Sequence, residues 1–260
     1  MVEAGGPEWT ARYPSLRGKH VLVTGGGTGI GEHIVTALAA QKMSVSFIDI
    51  ADEPSEALAR RLRDEGLDVR YVSQDLTNIE QAKAKIADLI ASSGPVDILV
   101  NNAANDDRHQ IAEVTPAYYE KCMAVNLRHY FFCAQAVIPT MKQRGCGAII
   151  NIGSISWHVA LPDLALYQTA NAGIEGMTRA MARDLGPSGI RVNCVVPGGV
   201  QTPRQMALWH DAEEEARMLG EQCLKQRLLP QDVAAMVLFL ASDDARMCTA
   251  HSYFIDGGWH

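Results

Sequence analysis

The chain has 260 residues, of which 47% are hydrophobic and 20% charged, and it carries a formal net charge of −7. That is apolar material for a sizeable core and too little charge for a disordered chain. With no Lys/Arg run there is no footprint for a phosphate backbone, so nucleic acid is excluded as an expected partner, and no apolar stretch reaches the roughly eighteen residues of a membrane span.

Residues 1–19 lack a basic segment followed by an apolar one and do not read as a secretory signal, so a cytoplasmic protein is expected. Residues 1–17 read as an N-terminal extension to one domain over 18–260. The six cysteines, Cys122, Cys133, Cys146, Cys194, Cys223 and Cys248, form no C-x-x-C pair, and the eight histidines show no ligand spacing. Ordinary thiols and no protein metal site are expected.

Seven apolar runs of strand length follow in chain order: His20–Thr24, Val45–Asp49, Val69–Ser73, Asp97–Asn101, Ala148–Gly153, Ile190–Val196 and Ser252–Asp256. Rich in Val and Ile and bounded by Gly, Asp or Asn, they suit strands buried on both faces. Between them lie helical stripes such as Ile30, Ile34, Ala37, Leu38 and Ile79, Ala82, Ile86, Leu89, Ile90. Strand–helix alternation predicts an α/β fold, a doubly wound Rossmann domain on a parallel sheet of about seven strands. Residues 199–225 break the rhythm after the sixth strand, where a substrate lid or a plain surface helix would sit. The acidic run Asp211–Glu215 reads as an exposed helix start.

The first strand runs into Thr24-Gly25-Gly26-Gly27-Thr28-Gly29-Ile30-Gly31, with a helix opening at about Gly29. Glycines let the backbone approach a pyrophosphate, and the helix N-terminus offers N–H groups and a positive dipole. A bare glycine cluster is equally a flexible turn; its place between strand and helix favours a dinucleotide. Asp49 ends the second strand, where a carboxylate accepts ribose hydroxyls and repels a 2′-phosphate. Neither Gly25–Gly31 nor Ile50–Glu53 contains Lys or Arg, so NAD is favoured over NADP. A helix-capping aspartate is the plainer reading of Asp49.

These residues, with Asp75-Leu76, Asn101-Asn102-Ala103-Ala104, Asn126, Ser154, Tyr167 thirteen residues later, Pro197-Gly198 and Asp256-Gly257-Gly258, resemble the short-chain dehydrogenase/reductase family over roughly residues 16–260. The resemblance implies a cofactor lying along Gly25, Thr28, Gly29, Ile30, Gly31, Asp49, Ile50, Asp75, Leu76, Asn102, Ala103, Ala104, Tyr167, Asn171, Pro197, Gly198, Val200 and Thr202. It implies that Ser154 and Tyr167 act on the substrate oxygen and that Asn126 holds a relay water. Read singly, Ser154 is a turn or cap, Tyr167 a packed aromatic and Asn126 a helix-bend asparagine.

The runs Asn105–His109, Val125–His129, Gly153–His158, Cys194–Gly198, Gln222–Lys225 and Val237–Ala245 are similar to bacterial pentose 1-dehydrogenases, D-xylose 1-dehydrogenases above all. That likeness implies oxidation of a D-xylose or L-arabinose type of sugar to its lactone. A dehydrogenase of another secondary alcohol and a catalytically silent NAD-binding protein stay open beside it. Polar pocket candidates for a sugar are Asn105, Asp106, Ser156, Trp157, His158, Gln168, Gln201 and Arg204, beside Ser154 and Tyr167. Asp106–His109 is equally a solvated loop, and His158 a satisfied loop histidine.

One position departs from the family, whose motif is Tyr-x-x-x-Lys. Here the pair is Tyr167 and Asn171. The two share a helical face, so Asn171 stands where the lysine would favour the tyrosinate. An engineered substitution, a natural loss of activity and a natural variant with another proton route are all open. Ala104, where the family usually has glycine, is a smaller departure. Homotetramers are also implied, packed through the helices carrying Asn126 and Tyr167 (Val125, Leu127, Phe131, Phe132, Ile174, Met177, Met181); packing on the sheet is the other reading.

Overall fold

The computed structural model describes residues 11–208 and 212–260. Strands β1 (His20–Thr24), β2 (Ser44–Asp49), β3 (Val69–Ser73), β4 (Ile98–Asn101), β5 (Gly147–Ile152), β6 (Ile190–Pro197) and β7 (Ser252–Ile255) form one sheet in the order β3-β2-β1-β4-β5-β6-β7. Every pairing is parallel. The expected runs match these strands to within one residue at each end, because each is short, apolar and stopped by Gly, Asp or Asn.

The crossovers are α1 (Gly29–Ala40), α2 (Asp52–Asp64), α3 (Ile79–Ser93), α4 (Pro116–Met123), α5 (His129–Arg144), α6 (Ala165–Leu185), α7 (Pro203–Leu208), α8 (Ala212–Glu221) and α9 (Pro230–Ala241). Alternate residues of β1 face opposite layers. Val21 and Val23 pack with Ile34, Leu38 and Val237 of α1 and α9, while Leu22 packs with Ile86 and Val137 of α3 and α5. All are fully buried, each contributing about 1.5–3 kcal/mol relative to exposure. This two-sided burial is what makes the strands continuous apolar runs.

Beneath the carboxyl ends of β4 and β5 the core is polar and largely bonded, though Asn101 Oδ1 has no partner among the described residues. The Asn101 amide donates to Asn151 Oδ1 at 3.0 Å, the Asn151 amide donates to Thr178 Oγ1 at 2.9 Å, and the Tyr130 hydroxyl donates to the Ile152 carbonyl at 2.8 Å. These bonds fix α5 and α6 against the sheet. Sequence order reverses between β1 and β4, so the crevice above them is where ligands of such sheets bind.

At the N-terminal side, Leu16 is fully buried in the first core layer, and the Tyr13 N–H donates to Gln41 Oε1 at 2.9 Å. The earlier part of the expected extension, residues 1–10, lies outside the described residues, as does Asp211 of the acidic run. Glu213, Glu214 and Glu215 form the first turn of α8. Among the described residues no helix is long and apolar enough to cross a membrane, and no three His, Cys, Asp or Glu side chains gather as metal ligands.

Candidate active site

The glycine loop between β1 and α1 is shaped by backbone contact. Gly25 (φ +65°) and Gly29 (φ +58°) occupy the left-handed region that favours glycine. A Cβ on Gly25 would stand 2.6 Å from Ala103 Cα, and one on Gly31 only 1.8 Å from the Gly25 carbonyl oxygen. The Asn102 amide staples the next strand end to this loop, donating to the Gly25 carbonyl at 2.7 Å, while Thr24 Oγ1 accepts from the N–H groups of Asn102 and Ala103. Over Gly29 the cradle is open: a Cβ there would meet only Thr202, at 3.6 Å. Exposed Thr28 does not cap α1 with its side chain, so the helix presents its N-terminal amides outward. The cradle therefore fits a pyrophosphate.

Asp49 is held from three sides. Its Oδ2 accepts from the Gly27 N–H at 2.8 Å, and its Oδ1 from Ile50 and Ala51 at 2.7 and 2.9 Å. A carboxylate has about four lone-pair sites, so one strong acceptor position remains on Oδ2, enough for a single ribose hydroxyl. Ile50 is 70% exposed beside it, an apolar surface of the kind an adenine ring covers. Asp75 is exposed, its Oδ1 accepting from the Thr77 N–H and hydroxyl; Leu76 is buried in the core. Pro197 is buried at the end of β6, and the Gly198 N–H donates to the Ile255 carbonyl at 2.8 Å. Val200 bridges to Leu228 before Thr202 caps α7. Glycine cradle, fixed acidic residue and open apolar edge together fit a nicotinamide dinucleotide.

The reacting centre assembles from three elements. Between α4 and α5 the chain makes a π-turn over Ala124–Arg128, which carries Asn126 inward until it is 2% exposed. Such wide turns inside helices are frequent at functional sites. Asn126 Oδ1 accepts from the Asn105 N–H at 2.8 Å, and its amide donates back to the Cys122 carbonyl at 3.1 Å. Ser154 follows β5 and caps a short turn, accepting from the Ser156 N–H at 3.1 Å. Tyr167 lies in the first turn of α6, its hydroxyl within the hydrogen-bonding influence of Ser154 and Asn171. Burial, then the charge of Asp106, push the Tyr167 hydroxyl up to about 12, and Ser154 and Asn171 pull the other way. Asn171, 3% exposed, donates its amide to the Tyr167 carbonyl at 2.9 Å.

The loop after β4 and the start of α7 meet over this centre. Arg204 donates from Nε to Asp106 Oδ1 at 3.0 Å and from Nη2 to Asp107 Oδ1 at 2.6 Å and Asn105 Oδ1 at 3.1 Å. The Gln205 amide donates to Asp106 Oδ2 at 2.5 Å. Half-buried Ala103 packs against the second core layer, and Ala104 is exposed.

Of the other sugar-pocket candidates, Ser156 stays beside the centre, its hydroxyl accepting from Ser154 Oγ at 3.1 Å, while Trp157 and His158 are held by another residue. The Trp157 indole and His158 Nε2 both bond Glu175 Oε1 at 2.8 Å. Glu175 is eight residues along α6 from Tyr167, about 12 Å at 1.5 Å per residue. Gln168 donates its amide to the Leu161 carbonyl at 2.5 Å, Ser156 is buried, and the Gln201 N–H donates to the Leu228 carbonyl at 2.8 Å. Beside the start of α6 a cavity of about 340 Å³ opens between Ile111, Leu161 and Leu164.

Sequence reasoning missed His129 and Gln205. His129 is 1% exposed, and its Nε2 sits 3.0 and 2.8 Å from the carbonyl oxygens of Ala103 and Val125, joining the cofactor-side loop to the π-turn. In the sequence the run Val125–His129 stands out only as a likeness. Nothing in the sequence marks Gln205, whose partner lies 99 residues away.

Comparison with known proteins agrees with this architecture. A family model described as enoyl-(acyl carrier protein) reductase matches residues 25–260. The chain is 57% identical over 250 residues to D-xylose 1-dehydrogenase of Caulobacter vibrioides, covering 96% of this chain and 99% of that protein. It is 44% identical over 250 residues to a Rhizobium meliloti protein named "Probable galactose dehydrogenase GalD", covering 96% and 98%. Among solved structures, a gluconate 5-dehydrogenase from Burkholderia cenocepacia in complex with NADP and tartrate superposes with a TM-score of 0.89 at 32% identity, covering 95% of this chain and 97% of that one. The match over almost the whole chain, together with the glycine cradle and the Ser154–Tyr167 pair, makes this chain a member of the short-chain dehydrogenase/reductase family of nicotinamide-dependent oxidoreductases.

Proposed function

We propose that the chain oxidises the anomeric carbon of an aldopentose, of the D-xylose or L-arabinose type, to the sugar lactone with NAD. The observation that carries this is the meeting of Ser154 and Tyr167 at the carboxyl edge of the sheet, beside the glycine cradle, in a chain 57% identical to a D-xylose 1-dehydrogenase. Bound there, the nicotinamide supplies the hydride acceptor. Ser154 donates a hydrogen bond to the sugar's anomeric oxygen, Tyr167 takes the hydroxyl proton, and Asn126 anchors the loop above them through Asn105. Asp49 supports NAD over NADP, since its fixed carboxylate repels a 2′-phosphate.

Asn171 favours a second reading, a cofactor-binding protein with little or no turnover. Its amide is tied to the Tyr167 carbonyl and brings no positive charge to the hydroxyl. The two readings separate on NADH production from D-xylose and L-arabinose, measured for this chain beside Asn171→Lys. Turnover of a pentose, at least tenfold faster in the lysine variant, supports the dehydrogenase. Silence in both with NAD still bound removes the sugar assignment and leaves a dehydrogenase of another secondary alcohol or the cofactor-binding protein.

Self-association into a tetramer fits Phe131, 45% exposed on α5 beside half-buried Phe132, and light scattering of the purified chain tests it. Ile174 and Met181 pack inside the protomer instead.

A further inference from the structure

Arg204 is a guanidinium at the mouth of the cleft, the kind of group that receives a substrate carboxylate as a fork. In this structure the fork is already taken. Its nitrogens bond Asp106, Asp107 and Asn105 at 2.6–3.1 Å, and Gln205 closes the second oxygen of Asp106. Two carboxylates, Asp106 and Asp107, here face the one Arg204 guanidinium. The cluster is fixed relative to the reacting centre, because the Asn105 N–H is held by Asn126 Oδ1 at 2.8 Å.

We propose that Asp106 and Asp107 are specificity-determining residues that close this cleft to carboxylate-bearing substrates by occupying Arg204 and adding negative charge beside it, so that uncharged sugars are selected over sugar acids. The proposal rests on the sugar-oxidising reading and adds its substrate class. It also gives the cluster a use in turnover. A sugar lactone takes up water to open into a hydroxy acid and releases a proton, and the resulting anion, similar in size to the sugar, would otherwise compete for the same cleft.

Like charges about 6 Å apart at an effective dielectric near 20 interact strongly enough for more than a tenfold effect on binding. The test is calorimetric titration of D-xylose and of sodium D-xylonate into the NADH-saturated chain. D-xylonate is expected to bind at least tenfold more weakly than D-xylose. In Asp106→Asn/Asp107→Asn the ratio of D-xylonate to D-xylose affinity rises at least tenfold, and adding Arg204→Gln lowers it again by removing the freed fork. An unchanged ratio in the asparagine pair, or a rise left undiminished by loss of Arg204, overturns the proposal.

Should the pair fail to bind NADH, the unaltered chain still decides. High salt screens the repulsion, so the same ratio must rise with ionic strength, and a flat response overturns the proposal. A chain that neither binds nor oxidises D-xylose, Asn171→Lys included, fails the sugar reading instead. D-xylonate binding by the asparagine pair then still tests the exclusion of carboxylates.

Discussion

In the proposed reaction turnover depends on Tyr167, and its surroundings oppose its ionisation. With the hydroxyl pushed up to about 12, the tyrosinate at pH 7 is about one part in a hundred thousand. An ammonium about 5 Å away at an effective dielectric near 20 would favour it by about 3 kcal/mol, or about two pH units. Because the base is the deprotonated form, activity must rise with pH up to the folded-state pKa. The unaltered chain is expected to gain about tenfold in kcat per pH unit through at least pH 10. Asn171→Lys should be about a hundredfold faster at pH 7 and reach its plateau about two units lower. Parallel profiles would show that the proton leaves by another route. Asp49 makes a separate prediction from its own geometry. Asp49→Asn removes the charge while one oxygen can still accept from Ile50 and Ala51, so the NAD-to-NADP ratio of kcat/KM should fall at least tenfold through the NADP term.

Between elements, the decisive joint is the one His129 makes at the start of α5. Burial drives its imidazole down to about 4 from an ordinary 6.5, so the folded ring is neutral and Nε2 donates to the carbonyls of Ala103 and Val125. As pH falls from 6.5 toward 4 the unfolded chain takes up a proton that the folded one refuses, and stability is lost across that window. About 2 kcal/mol should vanish between pH 7 and pH 5. His129→Asn should lack that part of the loss when urea midpoints at the two pH values are compared with the unaltered chain. The joint also marks where reading the sequence stops. Strands were legible because burial on both faces writes itself as an apolar run, and the glycine cradle because only glycine tolerates φ near +60° that close to the Ala103 backbone. The Asn126–Asn105 bond, the Arg204–Asp106 pair and the Glu175 hold on His158 were not legible. Each joins residues 17–98 apart through side chains that could equally face water, and only the packed sheet brings them together. The π-turn leaves no periodic signal at all.

For the whole molecule the question is whether the cradle and the far side of the sheet unfold together. β1 sits centrally, paired with both β2 and β4, and α1 packs against α9 from the other end of the chain. The N-terminal segment is tied to the same place: Lys19 Nζ pairs with Asp243 Oδ1 at 2.9 Å, and the Asp243 N–H donates to Ser15 Oγ at 3.1 Å. With the two halves interlocked, one cooperative unit is expected over the described residues. NAD, bound as proposed at the β1–β2 side, should then stabilise structure it does not touch. At a hundred times its dissociation constant a ligand adds about 2.7 kcal/mol, which for a chain of this size raises the melting temperature by about 5–10 °C. Among the described residues, Trp157 and Trp259 lie on the β7 side, bonded to Glu175 and Glu221. Melting followed by tryptophan fluorescence and by far-ultraviolet circular dichroism should therefore shift by the same amount. Gly31→Ala, whose Cβ would stand 1.8 Å from the Gly25 carbonyl oxygen, should lower the midpoint and remove the NAD shift from both signals. If NAD moved the dichroism and left the tryptophan transition where it was, the cradle would be a separately unfolding unit.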